Sequence, residues 1–134
     1  MDWGQVRELV ARGHGVGGHS RSHRELAGLP PEELCAEVAG CRDDLWAQAG
    51  VKAEFFCYPR GSESPFVRRV VAEAGYSGAC TVKPGANPRG IDPFGLRRTE
   101  IAAGDSLEEL SQKLRGAFDG WHKLVQHVQS LGAV

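Results

Sequence analysis

His19 and His23 stand four residues apart in the run Gly17-Gly18-His19-Ser20-Arg21-Ser22-His23. One turn of helix would point both imidazoles to the same side, within reach of a single ion. Neutral imidazole is a common ligand for zinc and related transition metals, so the pair has a metal-binding reading. A catalytic zinc usually takes three protein ligands, and this pair supplies two. A solvated or hydrogen-bonded histidine pair has the same spacing, and on spacing alone both readings stand. Further along, Tyr58-Pro59-Arg60-Gly61 and Arg97-Arg98 add a phenol and several guanidiniums. Gly13, Gly15 and Gly18 also satisfy G-x-G-x-x-G. That fingerprint needs a strand before it and a helix after it, whereas the residues ahead of these glycines have helical spacing, so a dinucleotide site is excluded.

The elements that would position these groups alternate along the chain. Asp2 to Arg12 carries Val6, Leu9 and Val10 at helical spacing and stops at Gly13. A second helix is expected from Pro31 to Ala49, with Leu34, Val38, Cys41 and Leu45 on one face and Gly50 after it. A third starts at Ser64-Pro65, repeats Val67, Val70, Val71 and Ala74, and stops at Gly75. Strand candidates are Val16 to His19, Phe55 to Tyr58, Tyr76 to Val82 and Leu96 to Ile101. Lys83 to Gly95, rich in Gly and Pro, reads as a long loop, and Ser106 with Glu109 reads as the capping box of a last helix. Successive αβ units of this kind imply a parallel sheet or part of a βα barrel. In such folds the strand-to-helix loops gather at the carboxyl ends of the strands, so the histidines, Tyr58 and the arginines would converge on one rim.

Composition narrows the classes. The chain has 134 residues and a net charge of -1, from 16 Lys plus Arg against 17 Asp plus Glu, with no basic block. That is the size of one domain and lacks a nucleic-acid footprint. No apolar run reaches the roughly 18 residues of a membrane span, and Asp2, Arg7, Glu8 and Arg12 interrupt the place of a secretory core. Cys35, Cys41, Cys57 and Cys80 form no Cys-x-x-Cys pair and read as buried thiols.

Three segments together resemble the polysaccharide deacetylases, the NodB-homology group of carbohydrate esterases. Gly13-His14-Gly15-Val16-Gly17-Gly18-His19-Ser20-Arg21-Ser22-His23 is similar to that family's His-Ser/Thr-x-x-His motif. Phe55-Phe56-Cys57-Tyr58-Pro59-Arg60-Gly61 is similar to its Phe-x-Tyr-Pro-x-Gly motif, and Asp92-Pro93-Phe94-Gly95-Leu96-Arg97-Arg98 to its Asp-Pro-Phe-x-Leu-Arg-Arg stretch. The resemblance implies an N-acetylated polysaccharide as partner and a divalent metal, Zn2+ or another, as cofactor. It implies His19 and His23 as two metal ligands, Tyr58 as a backbone donor whose ring shapes an acetyl pocket, and Tyr58, Pro59, Arg60 and Gly61 as the substrate-binding loop. Arg97, or its neighbour Arg98, would orient an acidic group, and His122 is the candidate general acid.

The family's Thr-Phe-Asp-Asp-Gly motif, which carries the base and the third ligand, has no counterpart here. The one adjacent aspartate pair, Asp43-Asp44, falls mid-helix and reads as a solvated face. The expectation is therefore one domain over residues 1–134, α/β, a partial (β/α) barrel of the polysaccharide deacetylase type lacking the first strand or strands. Such a chain would have little hydrolytic activity alone, and homodimers through exposed sheet edges would follow. The alternative is a non-catalytic carbohydrate-binding or partner remnant of the same fold. A sugar-polymer substrate points to the cell envelope, although no export segment is visible.

Overall fold

The computed structural model describes residues 1–116. Its helices begin and end where side chains or glycines satisfy their loose backbone groups. In α1 (Trp3–Ala11) the Asp2 carboxylate accepts the Gln5 N–H, while the Gln5 side chain accepts the Asp2 N–H. Helix α2 (Pro31–Ala49) opens on a proline, whose missing N–H costs nothing in a first turn, and closes on Gly50 at φ 66°. Ser64 caps α3 (Pro65–Glu73) through the Val67 N–H. The capping box of Ser106 and Glu109 opens α4 (Leu107–Leu114), as the spacing predicts.

Strands β1 (Phe55–Cys57) and β2 (Gly78–Cys80) pair in parallel, with Phe56 opposite Ala79 and Cys57 opposite Cys80. The chain crosses between them through α3, the long connection that a parallel pair requires. Gly18 bridges Phe56 on one flank and Leu96 bridges Cys80 on the other. Four segments thus run parallel in the order Gly18, β1, β2, Leu96.

The two outer segments are shorter than expected. Val16 to His19 contributes a single bridge, Gly18 exchanging bonds with Phe55 O and Cys57 N before the chain turns away at Ser20. The alternation over Leu96 to Ile101 also yields one bridge. The Arg97 backbone is taken by Asn87, whose side-chain oxygen accepts the Arg97 N–H and whose amide donates to the Arg97 carbonyl; Arg98 N–H goes to Lys83 O. With those groups spent on the preceding loop, the ladder does not extend through Arg97 and the Arg98 N–H.

The core lies between α2, α3 and the sheet. Leu34, Val38, Cys41 and Leu45 line the inner face of α2, as expected, and meet Val67, Val70 and Val71 of α3 over Phe56, Tyr58 and Ala79. Phe56 sits between the rings of Tyr58 and Tyr76, 5.6 and 5.2 Å away. By contrast α1 buries none of its residues fully; Val6, Leu9 and Val10 are half-buried. Among the cysteines, Cys41 is buried and Cys57 and Cys80 half-buried, but Cys35 is exposed because it lies one residue off the apolar stripe of α2. No described helix is long and apolar enough to cross a membrane.

Candidate active site

The His19 and His23 rings meet edge to face, with centroids 4.9 Å apart. A helical turn does not bring them together, contrary to the spacing argument. Residues 19–23 form a loop with two left-handed residues, Ser20 at φ 61° and His23 at φ 58°. His19 Nδ1 lies 2.6 Å from the Cys57 carbonyl at the end of β1. A carbonyl can only accept, so Nδ1 carries the hydrogen and the neutral ring keeps the lone pair of Nε2 for another partner.

The loop is held from α2. Glu37 Oε2 accepts the N–H groups of Arg21 and Ser22, both at 2.9 Å, and Oε1 accepts the Ser22 hydroxyl. Ser20 Oγ accepts the His23 N–H. Desolvation pushes the Glu37 carboxyl upward, but the hydrogen bonds from Ser22 and Arg21 outweigh it and hold the group below its usual range. The Arg21 guanidinium makes two parallel bonds, at 2.7 and 2.8 Å, to Asp44. Asp43 is exposed as expected for a solvated face, but Asp44 is not free: Arg21 reaches it by lying across Gly40.

At the end of β1, Pro59–Gly61 forms a 3-10 turn in which Arg60 takes φ 52° and Gly61 φ 70°. Arg60 is exposed on the rim and pairs with Glu25 at 3.4 Å. Ser20, His23 and Arg60 are the non-glycine residues with positive φ among those described, and all three fall in the two motif loops. Strained backbone of this kind gathers at functional sites.

Tyr58 is placed differently from the expected acetyl-pocket wall. Its ring is fully buried, its hydroxyl donates to Phe94 O at 2.8 Å, and its N–H donates to Cys80 O at 3.2 Å. Burial pushes its phenol well above the ordinary value. Neither the N–H nor the ring face is offered to the rim; Tyr58 is a pillar beneath it. Pro59 is likewise buried. Arg97 is fixed through its backbone by Asn87, and it is Arg98 whose Nε reaches the sheet, donating to Thr81 O at 2.7 Å. His122 lies outside the described residues.

The stretch Asp92-Pro93-Phe94-Gly95 is a clamp. Asp92 accepts the Phe94 N–H and a bond from Arg68 Nη1, while Arg68 Nε and Nη2 donate to the two carboxylate oxygens of Glu63. Lys83 completes the cluster on Glu63. Arg68, desolvation notwithstanding, and Lys83 hold the Glu63 carboxyl down at about 2. Glu37, Arg21 with Asp44, and this clamp escaped the sequence reading. The one available signal was Gly40 inside α2, since a glycine in a helix interior usually has a packing reason.

Two imidazoles, one with its tautomer fixed by a strand-end carbonyl, together fit two positions of a divalent metal site. Among the described residues no group of three His, Cys, Asp or Glu converges to complete one.

A parallel sheet flanked by helices, with motif loops at the carboxyl ends of its segments, is the architecture of a partial (β/α) barrel. Comparison defines its class. The structure superposes on the Streptococcus pyogenes deacetylase PplD, solved with acetate, with TM-score 0.79 and 22% identity, covering 84% of this chain and 50% of PplD. It also superposes on IcaB from Ammonifex degensii, with TM-score 0.67 and 25% identity, covering 84% of this chain and 52% of IcaB. The fold is that of the deacetylase barrels, in part.

The family model for polysaccharide deacetylases matches residues 1–79, and the chain belongs to that family. YxkH of Bacillus subtilis strain 168, named after the same family, is 27% identical over 105 residues, which is 76% of this chain and 37% of YxkH. The chain thus spans about half the length of those two solved relatives and less of YxkH.

Proposed function

We propose that this chain carries the histidine half of a metal-dependent deacetylase site that removes N-acetyl groups from a polysaccharide. The observation that carries the reading is the His19–Cys57 hydrogen bond, which commits Nδ1 and frees Nε2 within a ring pair 4.9 Å apart. Zn2+ or another divalent cation held by His19 and His23 would supply Lewis acidity toward an amide carbonyl. Around it the chain's own groups position substrate: Arg60 and Gly61 offer the rim of the β1 loop, Tyr58 and Pro59 support that rim from below, and Arg97 or Arg98 orients an acidic group. His122 remains the candidate general acid.

The base and a third ligand are not among these groups, so the chain alone is expected to hydrolyse slowly or not at all. General base catalysis by itself is typically worth about a hundredfold to ten-thousandfold. The test has two arms. Zinc titration by calorimetry should show one site that His19→Ala and His23→Ala each abolish; equal binding by the variants would refute the metal reading. Acetate release from N-acetylglucosamine oligomers should stay far below that of intact relatives.

The lack of a third ligand among the described residues supports a second reading, a non-catalytic carbohydrate-binding or partner module. Oligomer binding that is indifferent to zinc and to both histidine substitutions would favour it.

A further inference from the structure

We infer that Glu37 is the positioning residue of the histidine pair, the group on α2 that fixes the loop between His19 and His23 in its ligating shape. The inference rests on the proposed metal reading and goes beyond it by naming what sets the geometry. Ser20 and His23 both hold left-handed backbone, a conformation that a free loop of non-glycine residues rarely keeps. Something outside the loop must over-determine it. Its own Ser20–His23 bond is local, whereas Glu37 binds the two residues between the left-handed pair through three donors. Glu37 lies on the same helix as the buried Val38 and Cys41, so it is anchored by the core and not by the loop it holds.

Glutamine at 37 can keep this pattern. Its carbonyl oxygen can accept both N–H groups, and its amide can donate to the Ser22 hydroxyl, which rotates to accept. Alanine keeps none of it. The two variants therefore separate a hydrogen-bonding role from a charge.

The experiment uses the full chain in four forms: wild type, Glu37→Ala, Glu37→Gln and Ser22→Ala. Before metal is added, the nuclear Overhauser contact between the two imidazole rings is measured. Zn2+ affinity is then measured by calorimetry, with thermal midpoints recorded in parallel. The wild type and Glu37→Gln should show the ring contact, and Glu37→Ala should lose it. Groups that orient metal ligands typically change affinity tenfold to a hundredfold, so Glu37→Ala should weaken Zn2+ by about that much, Glu37→Gln by less than about threefold, and Ser22→Ala by an intermediate amount. An intact ring contact and unchanged affinity in Glu37→Ala would overturn the inference, as would a Glu37→Gln loss equal to that of alanine. Should Glu37→Ala not fold, Ser22→Ala decides, because a loss there with an unchanged midpoint supports the inference and no loss overturns it. Absence of zinc binding in the wild type, with the ring contact still dependent on Glu37, would sink the metal reading and leave the positioning result standing.

Discussion

Gly40 shows how one residue can matter through what it leaves out. A Cβ added there would lie 2.6 Å from the Arg21 Cζ, so alanine must push the guanidinium off Asp44. Alanine also gains about 1 kcal/mol of helix propensity over glycine, while an exposed ion pair contributes little to stability. The thermal midpoint of Gly40→Ala is therefore expected to stay within roughly 5 °C of the wild type, whereas Zn2+ affinity falls several-fold as Arg21 shifts beside Ser22 and His23. Calorimetry in the two modes separates these effects, and a large midpoint drop with unchanged affinity would assign Gly40 to packing alone. The histidine pair itself was legible because a four-residue spacing and two ring nitrogens are chemical facts of the chain. The means of bringing the rings together was not, since the left-handed Ser20 and His23 depend on a glutamate fourteen residues past His23. The placement of Tyr58 was not legible for a related reason: a motif names a residue, but hydrogen bonds to Cys80 and Phe94 decide how it is oriented.

Helices were legible as elements because their ends carry their own instructions, such as Ser64 before Pro65 and Gly50 after Ala49. The short strands were not, because their extent depends on competing partners such as Asn87. The Lys83–Gly95 loop depends likewise on Glu63, which joins it to the start of α3 through Arg68, Lys83 and Asp92. The Glu63 side chain is 7% exposed, and its carboxyl is held at about 2 against an ordinary 4.5. A carboxylate lowered in the folded state contributes stability that is complete above its unfolded value and is lost as pH falls through the folded one. The gap corresponds to roughly 3 kcal/mol as an upper figure. Glu63→Gln is expected to unfold about 2 kcal/mol more easily at neutral pH, with the difference shrinking below about pH 5 and mostly lost by about pH 2. Urea denaturation at stepped pH measures this; a gap that stays constant down to pH 2 would show that the cluster acts through packing and not through the Glu63 charge.

At the scale of the whole molecule, no described segment pairs with the Gly18 side of the parallel array, beside α1. Gly18 uses its N–H and carbonyl on β1, so in a strand the adjacent Gly17 and His19 groups face the other way. A groove lined by Trp3, Val6, Cys41 and Leu45 runs along that edge, and Trp3 is 39% exposed. An exposed apolar groove of this kind favours association with another chain. Self-association through this flank is therefore expected: the mass measured by light scattering should rise above the monomer as concentration increases. Trp3→Glu and Val6→Lys place charge in the groove without touching the core, since neither residue is fully buried. Both should return the chain to monomer while leaving the ring contact of His19 and His23 intact. A wild type that stays monomeric at high concentration would show that this flank is closed by the chain itself, and variants that associate as strongly as the wild type would move the interface elsewhere.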